Sequence, residues 1–447
     1  MKLATGKLVN GAVWTVGAFG LGQAIRLATN VLLARLLAPE LFGIMLIVNT
    51  LRIGIELFSD VGISQNIIRS PNAYDPRFYN TAWSLQIIRS IALWFVFILA
   101  AVPAARFYGA PILSAVLPVS GFSIVLAGSA SLSPAILQKK MQFARLTLFN
   151  LFTAIISSAL LVAFAYLSPT IWALVLGGVA GTGLYMVMTY FLVPNFKQRF
   201  HLDRQCLSEI TGFGKWVYLS SIVYFLSTNF DRLYFAKVVP LQVLGIYGIA
   251  RTLSELFSTV AMHLGSSVIF PFISSHAGLP RESLRQELVS IRAKFLLLIA
   301  FGCSLFIATA DLAIKLLYDQ RYHAAAWMLP VLALGAWFSI VATTNESTLL
   351  GLGRPSYSAM ANSVKFILLL VGLPLSLKFK GLDGGIVTLA LVEACRYGPV
   401  YIGQRRERFS FGAQDFAITL AMFAMIGLWE WLRWASGFGT SFDSLFE

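Results

Sequence analysis

RIGIELFS at residues 52–59 returns almost unchanged as RTLSELFS at residues 251–258. Both copies place an arginine four residues before a glutamate inside a run of apolar residues. A shift of 199 residues aligns the copies without a gap, and the same shift aligns Thr29-Asn30 with Thr228-Asn229. Leu and Phe matches arise easily by chance in apolar helices, but two coincident charges at one offset do not. The pattern therefore indicates a duplicated half.

The composition predicts a membrane protein. The chain has 447 residues, of which 57% are hydrophobic and only 12% are charged, whereas about a quarter of a soluble chain is charged. The apolar residues form blocks of roughly 20 or more, each long enough to cross about 30 Å of hydrocarbon as a helix. We therefore predict an all-α polytopic membrane protein.

The apolar blocks predict thirteen spans and two lobes. The predicted spans are 10–35, 41–66, 80–104, 112–135, 144–167, 171–194, 214–237, 243–272, 291–314, 326–350, 356–377, 384–404 and 414–433. We predict a six-helix lobe at 1–194, a linker at 195–213, a six-helix lobe at 214–404, and one or two extra helices with a tail at 405–447. The linker is either an amphipathic helix on the headgroups or an ordinary loop. Because six is even, the lobes form a parallel repeat around a central cavity.

The charge distribution predicts the orientation. Lys and Arg number 19 on the side of the N-terminus and 9 on the other side, which places the N-terminus in the cytoplasm. The net charge of +14 lies in the breaks between spans, so nucleic acid is not expected as a partner. The three cysteines have no metal-like spacing, and no metal or cofactor is expected. The long first apolar block predicts a span rather than a cleaved signal peptide.

Several charges fall inside the predicted spans. A charged side chain at the middle of a span costs about 2.5–3.5 kcal/mol. Such residues must therefore face each other, a counter-charge or water. The cations within spans are Arg26, Arg52, Arg89, Arg251, Lys365 and Arg396.

The polar residues of these spans share helix faces. Asn49, Arg52, Glu56 and Asp60 recur at i, i+3, i+7 and i+11, which makes one stripe. The other stripes are Gln23, Arg26 and Asn30; Ser221, Tyr224, Thr228 and Asp231; Arg251, Glu255 and Ser258; and Asn362 with Lys365. We predict that the stripes converge on the cavity between the lobes.

The Arg–x–x–x–Glu pairs have two interpretations. Each is either a neutralised pair that fixes helix packing or an arginine offered to an anionic substrate. Arg26 and Arg89 have no acidic residue three or four positions away. The first half holds these two and Arg52 against Glu56 and Asp60, and a surplus of guanidinium suits a phosphate-bearing substrate.

The carboxylates have a second possible role. They are structural partners or coupling sites for H⁺ or Na⁺, and the candidates are Glu56, Asp60, Asp231, Glu255, Glu346 and Glu393. His263 is interpreted as a core histidine, with a proton relay as the alternative.

Sequence motifs along the chain resemble a known family. They are LLARLLAPELFG (32–43), LFSDVGISQNIIR (57–69), LGIYGIA (244–250), VIFPFIS (268–274), LLYDQRYHAAAWMLPVLAL (316–334) and NESTLLGLGRP (345–355). These motifs are similar to those of the Wzx-type and exopolysaccharide-exporter members of the multidrug/oligosaccharidyl-lipid/polysaccharide (MOP) exporter superfamily. The resemblance runs over about residues 8–404.

The resemblance implies a flippase rather than an enzyme. Its substrate would be a polyprenyl-diphosphate-linked oligosaccharide, carried through a cationic cavity by alternation between inward- and outward-open states. Membrane lipid and a polysaccharide polymerase or export machinery would be its partners. The related lipid II flippases have diphosphate-associated arginines on the helices that here carry Arg26, Arg52 and Arg251, and Arg89 and Lys365 complete our predicted diphosphate site. The predicted cavity residues are Gln23, Asn30, Asn49, Glu56, Asp60, Asn229, Asp231, Glu255 and Glu346.

Two rival functions remain. A multidrug antiporter of the same superfamily would need an acidic or aromatic cavity for cationic drugs, and the surplus of arginine argues against one. A membrane glycan polymerase usually carries a large external loop with an acidic motif. Each predicted external loop is short, and none holds two acidic residues.

Overall fold

The computed structural model describes residues 20–59, 62–193, 196, 198–212, 214–265, 269, 273 and 280–443, and only the backbone of 211–220 and 263–264. Asp60 and the His263 side chain therefore lie outside it. Within these residues all regular structure is helical. The helices are α1 (20–36), α2 (Pro39–Leu57), α3 (Ile63–Arg69), α4 (Pro76–Tyr108), α5 (Leu113–Gly128), α6 (Ser133–Lys139), α7 (Phe143–Leu167), α8 (Ile171–Leu192), α9 (Arg204–Gly212), α10 (Gly214–Val238), α11 (Leu241–Leu264), α12 (Arg281–Ala308), α13 (Ala310–Leu317), α14 (Ala325–Gly351), α15 (Ser356–Arg406) and α16 (Gly412–Ala435).

The helices confirm the all-α polytopic membrane fold. Among the described residues, seven helices (α4, α7, α8, α12, α14, α15 and α16) are long and apolar enough to cross a membrane. The bent pair α5 and α6 adds an eighth candidate. The described part of each predicted span is mainly helical, and α15 accounts for two spans because Gly381 (φ 62°, ψ −150°) breaks it. The predicted spans 10–35 and 243–272 lie partly outside the described residues. The helices α2, α10 and α11 carry charges along their length.

Three predicted spans have the wrong limits. The second, 41–66, is interrupted: α2 ends at Leu57 and α3 begins at Ile63, after Gly62 in the left-handed region at φ 66°. The fourth, 112–135, bends by 47° between α5 and α6. The ninth, 291–314, begins earlier, since α12 starts after Pro280 and ends at Ala308. A hydropathy profile alone does not detect these breaks, because the residues on both sides of them are apolar.

Two compact units divide the described chain. Unit 1 comprises the residues up to Ile222 together with Ala236–Gln242, and unit 2 comprises Val223–Phe235 and Val243 onward. Helix α10 thus contributes to both units. The predicted limits of the two lobes stay a prediction.

Close helix contacts organise unit 1. Helices α4 and α5 run antiparallel, with Trp94 Nε1 donating to the Pro118 carbonyl at 2.9 Å. Farther along, a Cβ on Gly128 would lie 2.2 Å from the Ser90 Oγ, so only glycine permits this approach. Small residues at such contacts are typical of membrane helices.

The predicted linker is ordered against α4. The backbone N–H groups of Arg199, His201 and Asp203 donate to the side chains of Asn80, Ser84 and Thr81 of α4 at 2.8–3.0 Å. Alternate residues face α4, as in an extended segment.

Asp203 then caps α9. The N–H groups of Cys206 and Gln205 donate to its carboxylate and hold the Asp203 pKa below its usual value. Ile210 of α9 is fully buried against the core of unit 1 formed by α3, α4 and α6. The described part of the linker is therefore an extended segment followed by the helix α9, both packed on unit 1, and its position on the headgroups stays a prediction.

Helix α16 is bound into unit 2 beside α12. Asp415 contacts Arg292 at 2.5 Å, Trp429 donates to Ser304 at 3.2 Å, and Arg433 contacts Asp311 at 2.7 Å. Residue numbers rise together along both helices, so α12 and α16 run parallel. Parallel spans require an odd number of crossings between them. The helix α14 and the two limbs of α15 supply three, which agrees with α16 as a thirteenth span.

Candidate functional site

The polar stripe of the second predicted span lies on α2. Asn49, Arg52 and Glu56 are half-buried there. An ion pair between Arg52 and Glu56 was one interpretation of the sequence, and it is wrong here: the two side chains form neither an ion pair nor a hydrogen bond. Arg52 Nε is buried without a hydrogen-bond partner among the described residues. Arg52 therefore keeps donors that a ligand could use.

A cavity of about 560 Å³ opens beside Glu56 within unit 1. Residues of α2, α3, α4, α5, α6 and α8 form its wall, together with residues of the breaks between α5 and α6. Its polar lining consists of Glu56, Ser64, Gln65, Gln86, Arg89, Ser90, Ser131 and Tyr185. The volume lies within the range of about 300–1,000 Å³ that small-molecule sites occupy.

Arg89 of α4 holds the end of α2. Its Nη2 donates to the Glu56 carbonyl at 2.6 Å, and its Nε donates to Ser59 Oγ at 3.0 Å. The last carbonyls of a helix lack intrahelical partners and carry partial negative charge, so a guanidinium is favourable there. Arg89 thus positions the α2 end of the cavity, and its predicted diphosphate role stays a prediction.

The break between α5 and α6 is held by side chains from α4 and α8. Gln86 Nε2 donates to the Gly128 carbonyl at 2.9 Å, and the Tyr190 hydroxyl donates to the Ser129 carbonyl at 2.6 Å. Thr189 Oγ1 accepts from the Ser131 N–H at 2.9 Å. Irregular backbone at membrane depth is tolerated where partners or a cavity satisfy it. The sequence analysis missed these residues, and the GSAS run at 128–131 inside an apolar block was the available signal.

The first stripe lies on α1. Arg26 is exposed, and Gln23 and Asn30 are half-buried. Within the described residues Arg26 forms no ion pair. Arg26 and Arg52 are thus two predicted diphosphate residues without a described carboxylate partner.

The second copy of the pair, Arg251 and Glu255, forms an ion pair within a larger cluster of charged residues. Arg251 Nε contacts Glu255 at 2.9 Å and Asp231 at 3.7 Å. Arg232 Nη2 donates to both oxygens of Glu255 at 2.9 and 3.0 Å. The Asp231 carboxylate also accepts from the Tyr247 hydroxyl. Two cations thus face two anions, and the cluster is neutral.

The sequence analysis did not count Arg232 among the cations within spans, although it falls in the predicted span 214–237. It lies on α10 with its side chain inside unit 2, where its Nη1 also donates to Asn229 Oδ1 at 3.2 Å. Its place beside Asn229 and Asp231 in one helical turn was the missed signal.

A second neutral cluster joins α14 and α15. Lys365 contacts Glu393, and Arg396 contacts Glu346 at 2.8 Å and Glu393 at 3.7 Å. Asn362, one turn before Lys365, is also buried. The charge of Arg251 acts on both Lys365 and Glu393, so the two clusters are electrostatically linked. Every one of these ionised groups has an opposite charge within 4 Å.

A third cluster fixes α16 and contains no predicted site residue. Arg292 is 1% exposed, pairs with Asp415, and donates to Asn345 Oδ1 at 2.9 Å and Gln414 Oε1 at 2.8 Å. Asp415 accepts from Tyr397 at 2.7 Å. The sequence analysis did not count Arg292 among the cations within spans, although it falls in the predicted span 291–314, and α12 begins eleven residues earlier, at Arg281.

Comparison with known proteins identifies the family. A family model described as "Polysaccharide biosynthesis protein" matches residues 32–327. The chain belongs to the polysaccharide biosynthesis protein family. Within this family, it is 24% identical over 348 residues to the succinoglycan biosynthesis transport protein ExoT of Rhizobium meliloti, covering 76% of this chain and 68% of ExoT. It is 20% identical over 398 residues to the lipopolysaccharide biosynthesis protein WzxC of Escherichia coli, covering 87% and 78%.

Solved structures show that this polysaccharide biosynthesis protein has the fold of MOP-superfamily transporters. The lipid II flippase MurJ in an inward closed conformation matches with a TM-score of 0.71 at 13% identity, covering 93% of this chain and 92% of MurJ. An inward-facing multidrug resistance MATE family transporter matches with a TM-score of 0.69 at 15% identity, covering 89% and 95%. These likenesses show the fold alone.

Proposed function

We propose that the protein moves a polyprenyl-diphosphate-linked oligosaccharide across the bacterial inner membrane for exopolysaccharide, capsule or O-antigen synthesis. One observation carries the proposal: unit 1 holds a polar cavity of about 560 Å³, and Arg26 and Arg52 of the same unit form no ion pair with a described carboxylate. A charge inside a span costs about 2.5–3.5 kcal/mol. An anionic substrate group that enters the membrane recovers this cost.

The diphosphate is the group that these arginines suit. Guanidinium binds phosphate oxygens through two parallel hydrogen bonds. We assign first contact with the diphosphate to Arg26 and Arg52. Arg251 and Lys365 each contact a carboxylate at present, so we assign them to a later step in which the substrate replaces that carboxylate.

Transport proceeds by alternating access in this proposal. The N-terminus is cytoplasmic, as the Lys and Arg distribution indicates. A coupling ion, H⁺ or Na⁺, would act through carboxylates that exchange their cation partners during the cycle, such as Asp231, Glu255 and Glu346. The chemistry of the site involves no bond making, and a polymerase or export machinery would consume the translocated lipid.

Multidrug antiport is the second candidate, because a MATE transporter matches the fold nearly as well as MurJ does. The charges in unit 1 favour the flippase: Arg26, Arg52 and Arg89 outnumber Glu56 among the described in-span residues. A net positive site repels cationic drugs.

The leaflet distribution of polyprenyl-diphosphate-linked glycans tests the proposal. Cells lacking the protein are expected to accumulate the glycan-lipid in the cytoplasmic leaflet. Wild type is expected to clear it, and Arg52→Ala and Arg26→Ala are expected to fail. Arg321→Ala is the matched control, because Arg321 is exposed and pairs with Asp319 in its own turn. Cells that accumulate no glycan-lipid but become sensitive to ethidium would instead support drug efflux.

A further inference from the structure

Glu56 lines a cavity, and its carboxylate has no hydrogen-bond or ion-pair partner among the described residues. It is half-buried and lines the cavity of unit 1. Within the described residues its carboxylate accepts no hydrogen bond and forms no ion pair. A carboxylate accepts hydrogen bonds through both of its oxygens. Glu56 is therefore available to a ligand in the cavity that donates hydrogen bonds.

The described charges around Glu56 favour a neutral ligand over a cation. Among the described residues, Arg52 and Arg89 are the cations whose charges act on the Glu56 carboxylate. An organic cation at this place would be repelled by both of them. The Glu56 carboxylate in turn disfavours the direct approach of a diphosphate. A neutral group with several hydroxyl donors satisfies the site without either penalty.

Two further groups in the wall have unused polar atoms. The donor side of Gln86 is occupied by backbone carbonyls of the break between α5 and α6, and this leaves Oε1 as an acceptor. The Tyr185 hydroxyl makes no hydrogen bond within the described residues. The Tyr185 ring is positioned by Phe149, with ring centroids 5.5 Å apart. An acceptor, a hydroxyl and an apolar ring surface complement the polar edge and the apolar face of a pyranose.

We propose that the unit 1 cavity binds a sugar ring of the transported glycan. The Glu56 carboxylate accepts hydrogen bonds from two neighbouring sugar hydroxyls, Gln86 Oε1 accepts a third, and the ring packs on Tyr185. This inference rests on the proposed function, and it assigns the two parts of the substrate to different groups of residues. The glycan is recognised in the cavity, while the diphosphate is recognised by Arg26 and Arg52.

In this proposal, two nearby residues of α2 bind different parts of the substrate. Arg52 and Glu56 lie one turn apart, so one helix presents a cation to the diphosphate and an anion to the sugar. An internal Arg52–Glu56 pair would consume both groups. Its absence among the described side chains leaves both available.

Two probes that each carry half of the substrate test this inference on the full-length protein in lipid nanodiscs. One is the oligosaccharide released by mild acid from the glycan-lipid of cells lacking the protein, and the other is farnesyl diphosphate, which has no sugar. Glu56→Gln keeps the shape but loses the charge. Glu40→Gln, in the first turn of the same helix and away from the cavity, is the matched control.

Glu56→Gln is expected to weaken oligosaccharide binding about tenfold, because a charge-assisted hydrogen bond becomes a neutral one. Its binding of farnesyl diphosphate should stay within about twofold of wild type, as should both affinities of Glu40→Gln. Tyr185→Ala is expected to weaken the oligosaccharide alone. Equal oligosaccharide affinity in wild type and Glu56→Gln, or an equal loss for both probes, would overturn the sugar assignment while leaving the flippase proposal intact. If the cells lacking the protein contain no glycan-lipid, both the sugar assignment and the flippase proposal would be wrong.

Discussion

The two copies of the Arg–x–x–x–Glu sequence adopt different arrangements in the two units. Arg251 and Glu255 contact each other at 2.9 Å within a neutral cluster. Arg52 and Glu56 form no such contact among the described residues. A shared local sequence has therefore produced a closed pair in unit 2 and an open pair in unit 1.

The residues around the pairs explain the difference. At the offset of 199 residues, Asp231 and Arg232 of unit 2 correspond to Leu32 and Leu33. Tyr247, which donates to Asp231, corresponds to Val48. Unit 1 thus lacks the extra anion, cation and hydroxyl that hold the second pair. An i,i+4 pair alone contributes only about 0.2–0.5 kcal/mol on a helix surface, so its tertiary neighbours decide whether it closes.

Breaking the closed pair should have the largest effect on stability. Arg251→Ala leaves Asp231 and Glu255 with one cation between them, and removal of one partner from a buried ion pair costs about 3–5 kcal/mol. We expect a lower melting temperature and a lower yield of monodisperse protein by size exclusion in detergent. Arg321→Ala, at an exposed arginine, is the control. A melting temperature equal to that of wild type would show that the cluster does not stabilise unit 2.

Arg232→Leu gives unit 2 the residue that unit 1 carries at Leu33. The change removes two hydrogen bonds to Glu255 and one to Asn229. Bonds to charged groups contribute about 1.5–3 kcal/mol, so an intermediate loss of thermal stability is expected. Arg232→Lys should restore part of it. A loss of thermal stability as large as that caused by Arg251→Ala would mean that the two arginines stabilise the cluster cooperatively.

Tyr247→Phe removes a single donor from the closed cluster. Asp231 keeps Arg251 nearby, so we expect a cost of about 1 kcal/mol and a small fall in melting temperature. The exposed Tyr166 gives the control Tyr166→Phe, which should have no effect. A larger fall for Tyr247→Phe would indicate that the hydroxyl orients the whole cluster.

Arg52→Ala should have the smallest effect on stability and yet abolish transport. Arg52 has no ion pair to lose among the described residues, so the free energy of unfolding should change by less than about 1 kcal/mol. Glycan-lipid clearance should fail, because the substrate loses a phosphate contact. Thermal melting and the leaflet assay on the same variant separate these outcomes. A strongly destabilised Arg52→Ala would place the open pair among the structural ones.

The sequence located several spans closely, but it did not predict the breaks within spans or the contacts between them. Apolar length identifies a span such as 144–167, which coincides with α7 within one residue at its start. The break after Gly128 could not be predicted from hydropathy, because it is stabilised by Gln86, 42 positions away. Likewise, Arg292 appears solvated in the sequence, and only its contact with Asp415 reveals a buried role. Pairing between distant spans depends on packing, which periodicity does not encode.

The clamp between Arg292 and Asp415 has a consequence for synthesis of the protein. Asp415 is 123 residues downstream of Arg292, a distance that takes a ribosome about 6–25 s at about 5–20 residues per second. During that interval Arg292 lacks the Asp415 carboxylate that pairs with it in the complete fold, although Asn345, which accepts a hydrogen bond from Arg292, is synthesised sooner. Nascent chains that stop before α16 keep this charge uncompensated in unit 2. Closure of the interior of unit 2 around Arg292 therefore has to wait for the synthesis of α16.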